Sequence, residues 1–384
     1  MPHAAVLLGS ARDLPTGEWE QLDTGGDPFI SRAFLGSAEE SGAAGPNLAW
    51  QPMHLLLRES DGRPAGLLPL YLRQHSFGDF SHDWNWAAAW QRAGLDYYPK
   101  LVSGVPFTPS TGPRLLARPD AGPGLRPALI RAAIDLAAEY GASSWQCLFV
   151  QEADRLLLES AGLLLRRGVQ FHWLNRDYRD FTDFLGSFAA DKRKKIKRER
   201  RAVAEAGMAI ETRHGDEIDA PLWRALHRHY RDTFRRHGNH PAFPLAFFRR
   251  AGEELGRRMV VFIARKDGEP VASAICYRSD TTLFGRHWGS DVHCPGLHFE
   301  LSYYQGIEYA INKGLSRFEA GAQGEHKLAR GFEPTPTWSA FWIADPRMRD
   351  TLAAFLRRED GAMQDYEAEM ARHLPYKSAT STRE

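Results

Sequence analysis

The sequence predicts an α/β protein with mixed (α+β) sheets, built from a duplicated unit, and three observations carry that prediction. Thr281 to Trp288 is rich in β-branched and aromatic residues and reads as a strand. From His298 to Lys313 the apolar residues Phe299, Tyr303, Ile307, Ala310 and Ile311 recur at helical spacing, and Ser316 to Ala320 reads as a second strand, so the stretch is a right-handed βαβ unit with parallel strands. Two turn strings, Asp61-Gly62-Arg63-Pro64-Ala65 and Asp267-Gly268-Glu269-Pro270-Val271, each lie between apolar segments and read as hairpins. Downstream of each comes a second shared string. Ile134-Asp135-Leu136-Ala137 runs to Gly141 and Ser143, and Ile307-Glu308-Tyr309-Ala310 runs to Gly314 and Ser316, in the same order.

Each element has a local reason. Met53 to Leu57 and Gly66 to Leu72 flank the first turn, and Val260 to Ala264 and Ala272 to Tyr277 flank the second. The first copy is longer, with the extra residues placed between about 77 and 116, where prolines restrict the backbone and Trp, Tyr and hydroxyl residues cluster in loops. Strand Ser144 to Phe149, helix Glu152 to Ser160 and strand Gly168 to Leu174 complete the first unit. Phe184 to Ala206 reads as a helix ended by Gly207, and Met208 to Thr212 opens the second unit as a strand. Helices Ala220 to Arg236 and Leu245 to Leu255 precede the second hairpin. Gly314 stands where a helix C-cap needs positive φ, with Leu315 placed to close the turn. A strand at Thr337 to Ala344 and a helix at Arg347 to His373, weakened at Gly361, end the order, followed by a frayed Ser/Thr-rich tail. The expected domains are residues 1–180, residues 181–345 beginning with a basic helix, and residues 346–384 as a C-terminal helix and tail.

Composition excludes more than it selects. At 384 residues, 43% hydrophobic, 25% charged and net charge +1, any affinity for nucleic acid or a membrane must come from a local patch. One exists: eight of the ten residues from Lys192 to Arg201 are basic. Three cysteines without CxxC spacing point to a reducing compartment, and no apolar run approaches membrane-spanning length, so the expected location is cytoplasmic. His287, His293, Cys294 and His298 match no zinc spacing, and no metal is expected. No P-loop, Rossmann fingerprint or hydrolase motif is present.

The strings YYPKL, PFTPSTGPRLL, GLHFELSYYQGIEYAI and FEAGAQGEHKLARGF resemble a bacterial FemAB-like family of peptidoglycan biosynthesis or recognition proteins, over roughly residues 50–345. The element order is that of the GNAT acyltransferase fold. The resemblance implies tandem GNAT-like N-acyltransferase domains and transfer of an acyl or aminoacyl group from acyl-CoA or aminoacyl-tRNA to an amine acceptor, such as a peptidoglycan precursor, with no tightly bound cofactor and tRNA as a partner. A GNAT pyrophosphate loop has the form Q/R-x-x-G-x-G/A. The corresponding Asp291-Val292-His293-Cys294-Pro295-Gly296 has one glycine and a proline that removes an amide donor, which argues against the usual mode of coenzyme A binding.

Amine acylation needs a base, oxyanion donors and a proton for the leaving group. Ligands in such sheets lie beyond the strand C-termini. Glu319, His326 and His287 are therefore the expected catalytic residues, with the base open between Glu319 and His326. Asp83, Tyr98, Lys100, Thr108 and Arg114 from the first unit, and Trp288, Gln323, Glu325, Lys327 and Arg330 from the second, are the expected substrate-binding set, facing one cavity. Lys100, Arg114 and Lys327 would anchor an anion. Lys194, Lys195, Arg198 and Arg201 form the expected polyanion-binding face. The rival expectation is a non-catalytic module that recognises a peptide or glycan in the cleft between domains.

Overall fold

The computed structural model describes residues 3–321 and 324–377. The chain forms two compact units. The first comprises the chain up to Gly168 with Ala242–Phe247 and Pro336–Gln364, and the second comprises Val169–Pro241, Phe248–Thr335 and the chain from Asp365 on. The division falls at Gly168/Val169, not near residue 180, and the C-terminal helix, Pro346–Ala371, is shared between the units rather than appended to them. It runs unbroken through Gly361. The expected frayed tail falls mostly beyond residue 377, outside the described residues.

In the first unit the strands are β1 (Ala4–Leu8), β2 (Gln51–Pro52), β3 (His54–Arg58), β4 (Pro64–Leu68), β5 (Tyr71–Arg73), β6 (Lys100–Ser103), β7 (Leu116–Ala117) and β8 (Ser144–Val150), and the chain leaves it along β9 (Leu164–Leu174). The Asp61-Gly62 turn joins β3 to β4 as an antiparallel hairpin in a sheet of order β1-β3-β4-β7. Pro69 cannot donate to a ladder, and the strand breaks there. It resumes as β5 in a second sheet, antiparallel to β6, and β6 runs parallel to β8 across the helix Leu125–Glu139. The residues Lys100–Ser103, expected in a loop insertion, are thus the first unit's central strand. The apolar core here includes Leu55, Leu129, Ala133, Trp145 and Cys147.

The second unit repeats this pattern with β10 (Ala209–His214), β11 (Met259–Lys266), β12 (Glu269–Arg278), β13 (Thr282–Ser290) and β14 (Arg317–Glu319); β15 (Glu333–Ile343) follows. Its order is β10-β11-β12-β13-β14-β9, antiparallel except for the parallel pair β13–β14. Gly268 adopts φ +85°, as Gly62 does, because both turns need left-handed backbone. The central helix, Leu297 to Asn312, ends where Gly314 takes φ +63° and donates its N–H to the carbonyl of Ile311, while Leu315 donates to Ala310 and buries its side chain. Leu301, Ile307, Ala310 and Ile311 bury against Phe318 and Phe332, each larger side chain contributing about 1.5–3 kcal/mol relative to exposure.

The copies trade their last strands. β9, from the first copy, pairs antiparallel with β14, while β15, from the second, pairs antiparallel with β8. Counted from the helix-ending glycines Gly141 and Gly314, Gln146 and Glu319 occupy the same position.

Candidate active site

β13 and β14 pair only from Thr282/Arg317 to Phe284/Glu319. Beyond that point Ala320 and Gly321 depart while β13 continues to Ser290, so the strands part. On the other side of β13 the register with β12 slips, because Cys276 faces Gly285 and Ile275 faces His287, leaving Arg286 as the extra residue of a bulge. A cavity of about 160 Å³ opens there, lined by Arg286, His287 and Trp288 from β13, His298, Ser302 and Tyr303 from the central helix, Cys276 from β12, and Gly321.

The central helix is not regular beside this cavity. Glu300–Tyr304 forms a π-helical turn, a feature common at functional sites. The turn sends Tyr303 Oη to within 2.7 Å of His326 Nε2 and the Tyr304 hydroxyl to the Glu199 carboxylate. Glu199 also receives Arg330 at 3.2 Å, and the Arg330 guanidinium lies 3.4 Å over the Phe299 ring and donates to the His326 carbonyl. Arg330 thus fastens the turn that carries His326. Ser302 Oγ is buried and meets no hydrogen-bond partner among the described residues.

The bases around the cavity are held neutral by burial and by cations. Burial, then Lys327 and Arg330, lower the His326 pKa. Burial, then His326, Arg330 and Lys327, push His298 down to about 4, and burial with Arg286 pushes His287 down to about 3. Lys327 is 1% exposed, donates to the Gly321 carbonyl at 2.6 Å, and is lowered to about 7 by burial and then by Arg286. Burial raises Tyr303 to about 12, so it keeps its proton.

Several expected roles are corrected. Glu319 is 1% exposed and sits between Arg286 Nη2 at 3.5 Å and Arg317 Nη2 at 3.4 Å; it is a countercharge beneath the cavity rather than a base opening into it. His287 packs among the rings of Tyr230, Phe248 and Tyr277, and so depressed a pKa makes it a weak base. Lys327 is turned inward onto a carbonyl, and Glu325 accepts from Tyr366. Gln323 lies outside the described residues. Trp288 does line the cavity, edge-on to His298.

The first-unit set is core. Lys100 is fully buried, with Nζ 2.9 Å from Asp79 and 2.5 Å from Asp83, and it also reaches Gln146. Burial alone would raise the Asp83 carboxyl, but the Lys100 ammonium overrides it and holds the pKa far below the carboxylate range. Arg114, also fully buried, donates to the carbonyls of Leu148, Pro113 and Ser110, Thr108 to Pro106, and Tyr98 exchanges a hydrogen bond with Ser76. Lys100 and Arg114, both at 0% exposure and held by these partners, leave no face for a substrate anion.

Sequence reasoning passed over Arg286 and Ser302, set Tyr303 aside as core, and weighed His298 only as a metal ligand. The available signal was a cation inside an otherwise apolar strand. Among the described residues, no group of three His, Cys, Asp or Glu side chains is placed to hold a metal ion.

The basic helix, Ala190–Glu205, buries Ile196 and Val203 and turns most of its cations outward. Arg200 pairs with Glu300 and Glu308, and Arg193 donates to the Phe188 carbonyl. Ala190, Arg193, Lys194, Lys197, Arg198 and Arg201 line a shallow groove of about 350 Å³ opposite the buried face, with Lys195 exposed beside it. Among the described residues, Lys194, Lys195, Lys197, Arg198 and Arg201 have no acidic partner within ion-pair distance.

The profile of the FemAB-like family, described as peptidoglycan biosynthesis/recognition, matches residues 10–378. No curated protein matches the chain. Among solved structures, L-PGS from Bacillus licheniformis is similar at 12% identity, covering 89% of this chain and 95% of that one with a TM-score of 0.53. FemX is similar at 11% identity, covering 91% of this chain and all 100% of its own, also with a TM-score of 0.53. At these identities the likeness is one of fold, and it bears out the expected α/β class with mixed sheets.

Proposed function

Since the chain belongs to the FemAB-like peptidoglycan biosynthesis/recognition family, we propose that it is an N-acyltransferase that moves an acyl or aminoacyl group onto an amine of a peptidoglycan precursor. The observation that carries this reading is the Tyr303–His326 hydrogen bond, which ties His326 to a residue that lines the cavity. A protonated amine is no nucleophile. His326, neutral at pH 7, takes the amine proton as nitrogen attacks the carbonyl carbon of the donor, and a C–N bond forms. Collapse of the tetrahedral intermediate breaks the ester or thioester bond, and Tyr303 passes its proton to the leaving oxygen or sulfur while recovering one from His326.

The basic groove supports aminoacyl-tRNA as the donor, since an exposed row of unpaired cations fits a phosphate backbone. Pro295, just ahead of the central helix, supports the same choice over acyl-CoA, because it removes one amide from the place a pyrophosphate would occupy. Among the described residues no helix is long and apolar enough to cross a membrane.

Mass spectrometry of a nucleotide-linked precursor peptide, incubated with the protein and with charged tRNA or an acyl-CoA pool as separate donors, tests the proposal. A mass gain on the acceptor amine that is lost in Tyr303→Phe/His326→Gln supports it. Absence of product with either donor overturns it and leaves peptide or glycan recognition as the family role.

A further inference from the structure

The cavity has a chemical bias that the transfer reaction by itself does not require. Arg286, whose side chain is 5% exposed, is the one lining residue among those described that carries full charge at neutral pH. His287 and His298 line the same space and are neutral, and no acidic side chain lines it among the described residues. Glu319, 3.5 Å from Arg286 Nη2, is not among the lining residues, and Arg317 pairs with it from another side at 3.4 Å. An ammonium placed here would meet cations and no carboxylate, whereas an anion would meet a guanidinium in a poorly solvated space where charge interactions are strong.

A second observation, of another kind, concerns Ser302. A helical serine can return its hydroxyl to the carbonyl one turn back. In the π-helical turn it does not, and Oγ is left buried without a partner on the cavity wall. A buried donor of that kind is destabilising unless something in the cavity accepts from it.

We infer that this cavity is a carboxylate subsite, in which Arg286 and the Ser302 hydroxyl hold a carboxylate carried by one of the two substrates. Size agrees, since about 160 Å³ is the share of roughly five waters at about 30 Å³ each, enough for a carboxylate on a short carbon chain. One guanidinium and one hydroxyl match a planar monoanion, whereas a phosphate dianion calls for more donors. Which substrate carries the group rests on the acyl-transfer reading: the acyl chain if the donor is dicarboxylic, or the acceptor if it is an amino acid with a free carboxylate.

Ligand-observed NMR on the full chain tests this with acetate and its neutral isostere acetamide. Acetate is expected to bind saturably and at least tenfold more tightly than acetamide. Ser302→Ala should weaken acetate binding several-fold, and Ser302→Leu, which fills the cavity, should abolish it. Should Ser302→Leu fail to fold, Arg286→Lys keeps the charge, loses the planar fork and should also weaken acetate several-fold. Succinate and D-alanine then separate the sources, since tighter succinate assigns the carboxylate to the acyl chain and tighter D-alanine to the acceptor. Acetate binding no better than acetamide, or acetate binding untouched in all three variants, overturns the subsite. Binding needs no turnover, so transfer without acetate preference sinks this inference alone, and acetate preference without transfer sinks the proposed function alone.

Discussion

The phenolic oxygen of Tyr303 lies 2.7 Å from Nε2 of His326, and Tyr303 lines a cavity whose other polar groups are neutral or cationic. Tyr303 lies in the π-helical turn Glu300–Tyr304, and Arg330 donates to the His326 carbonyl, so both partners of the contact are held by their own elements. His326→Gln should lower kcat by about 10²–10⁴, the range for loss of a general base. Burial and the cations Lys327 and Arg330 lower the pKa of His326, and the base works only when deprotonated. Activity should therefore rise with pH along an acid limb centred below the ordinary histidine value of about 6.5. A pH–rate profile with its limb above that value, or one unchanged in His326→Gln, assigns the proton transfer elsewhere.

Lys327 makes stability depend on alkaline pH. Its folded pKa, about 7, lies below the unfolded value of about 10.4, so between those values the unfolded chain binds more protons and folding stability rises with pH. Below pH 7 the cost of burying the charge is borne in full. Urea unfolding at pH 7 and pH 10 should show a gain of up to about 4 kcal/mol from this group, and Lys327→Met should remove it. An identical pH dependence in both proteins refutes the assignment.

In the first unit, Lys100→Met should destabilise by about 3–5 kcal/mol at pH 7, because it strands the buried carboxylates of Asp79 and Asp83. The deficit should shrink as pH falls and those carboxylates take up protons. Replacing Asp79 and Asp83 by Asn in the same variant should restore much of the loss. Denaturation midpoints that barely move would return Lys100 to the list of surface anion anchors.

Binding of tRNA, measured by anisotropy between 50 and 200 mM salt, should weaken steeply if the basic groove follows a phosphate backbone. Changing Lys194, Lys195, Arg198 and Arg201 to Ala should flatten the log–log slope by about 3 and leave stability within about 0.5 kcal/mol per site, since the four side chains are exposed and have no acidic partner among the described residues. An unchanged slope makes the helix a solvated face.

What the sequence by itself determined is local. Gly62 and Gly268 announce their hairpins because left-handed backbone is cheap only for glycine, and Gly314 with Leu315 announces a helix end because both partners of that closure lie within five residues. The repeat of these signals was enough to give a tandem fold, and the string of cations on one helix was enough to mark an exposed face. Tertiary structure decided the rest, since it depends on which distant segments return to meet. Nothing near Leu164–Leu174 or Glu333–Ile343 says that each will close the sheet of the other copy. Lys100 and Lys327 look like solvent-facing cations until partners far along the chain enclose them, and Glu319 looks like a base until Arg286 and Arg317 arrive on either side of it. The cavity itself comes from two strands that pair for three residues and then part, a matter of register, and register is set by packing across the whole sheet rather than by the residues that line the gap.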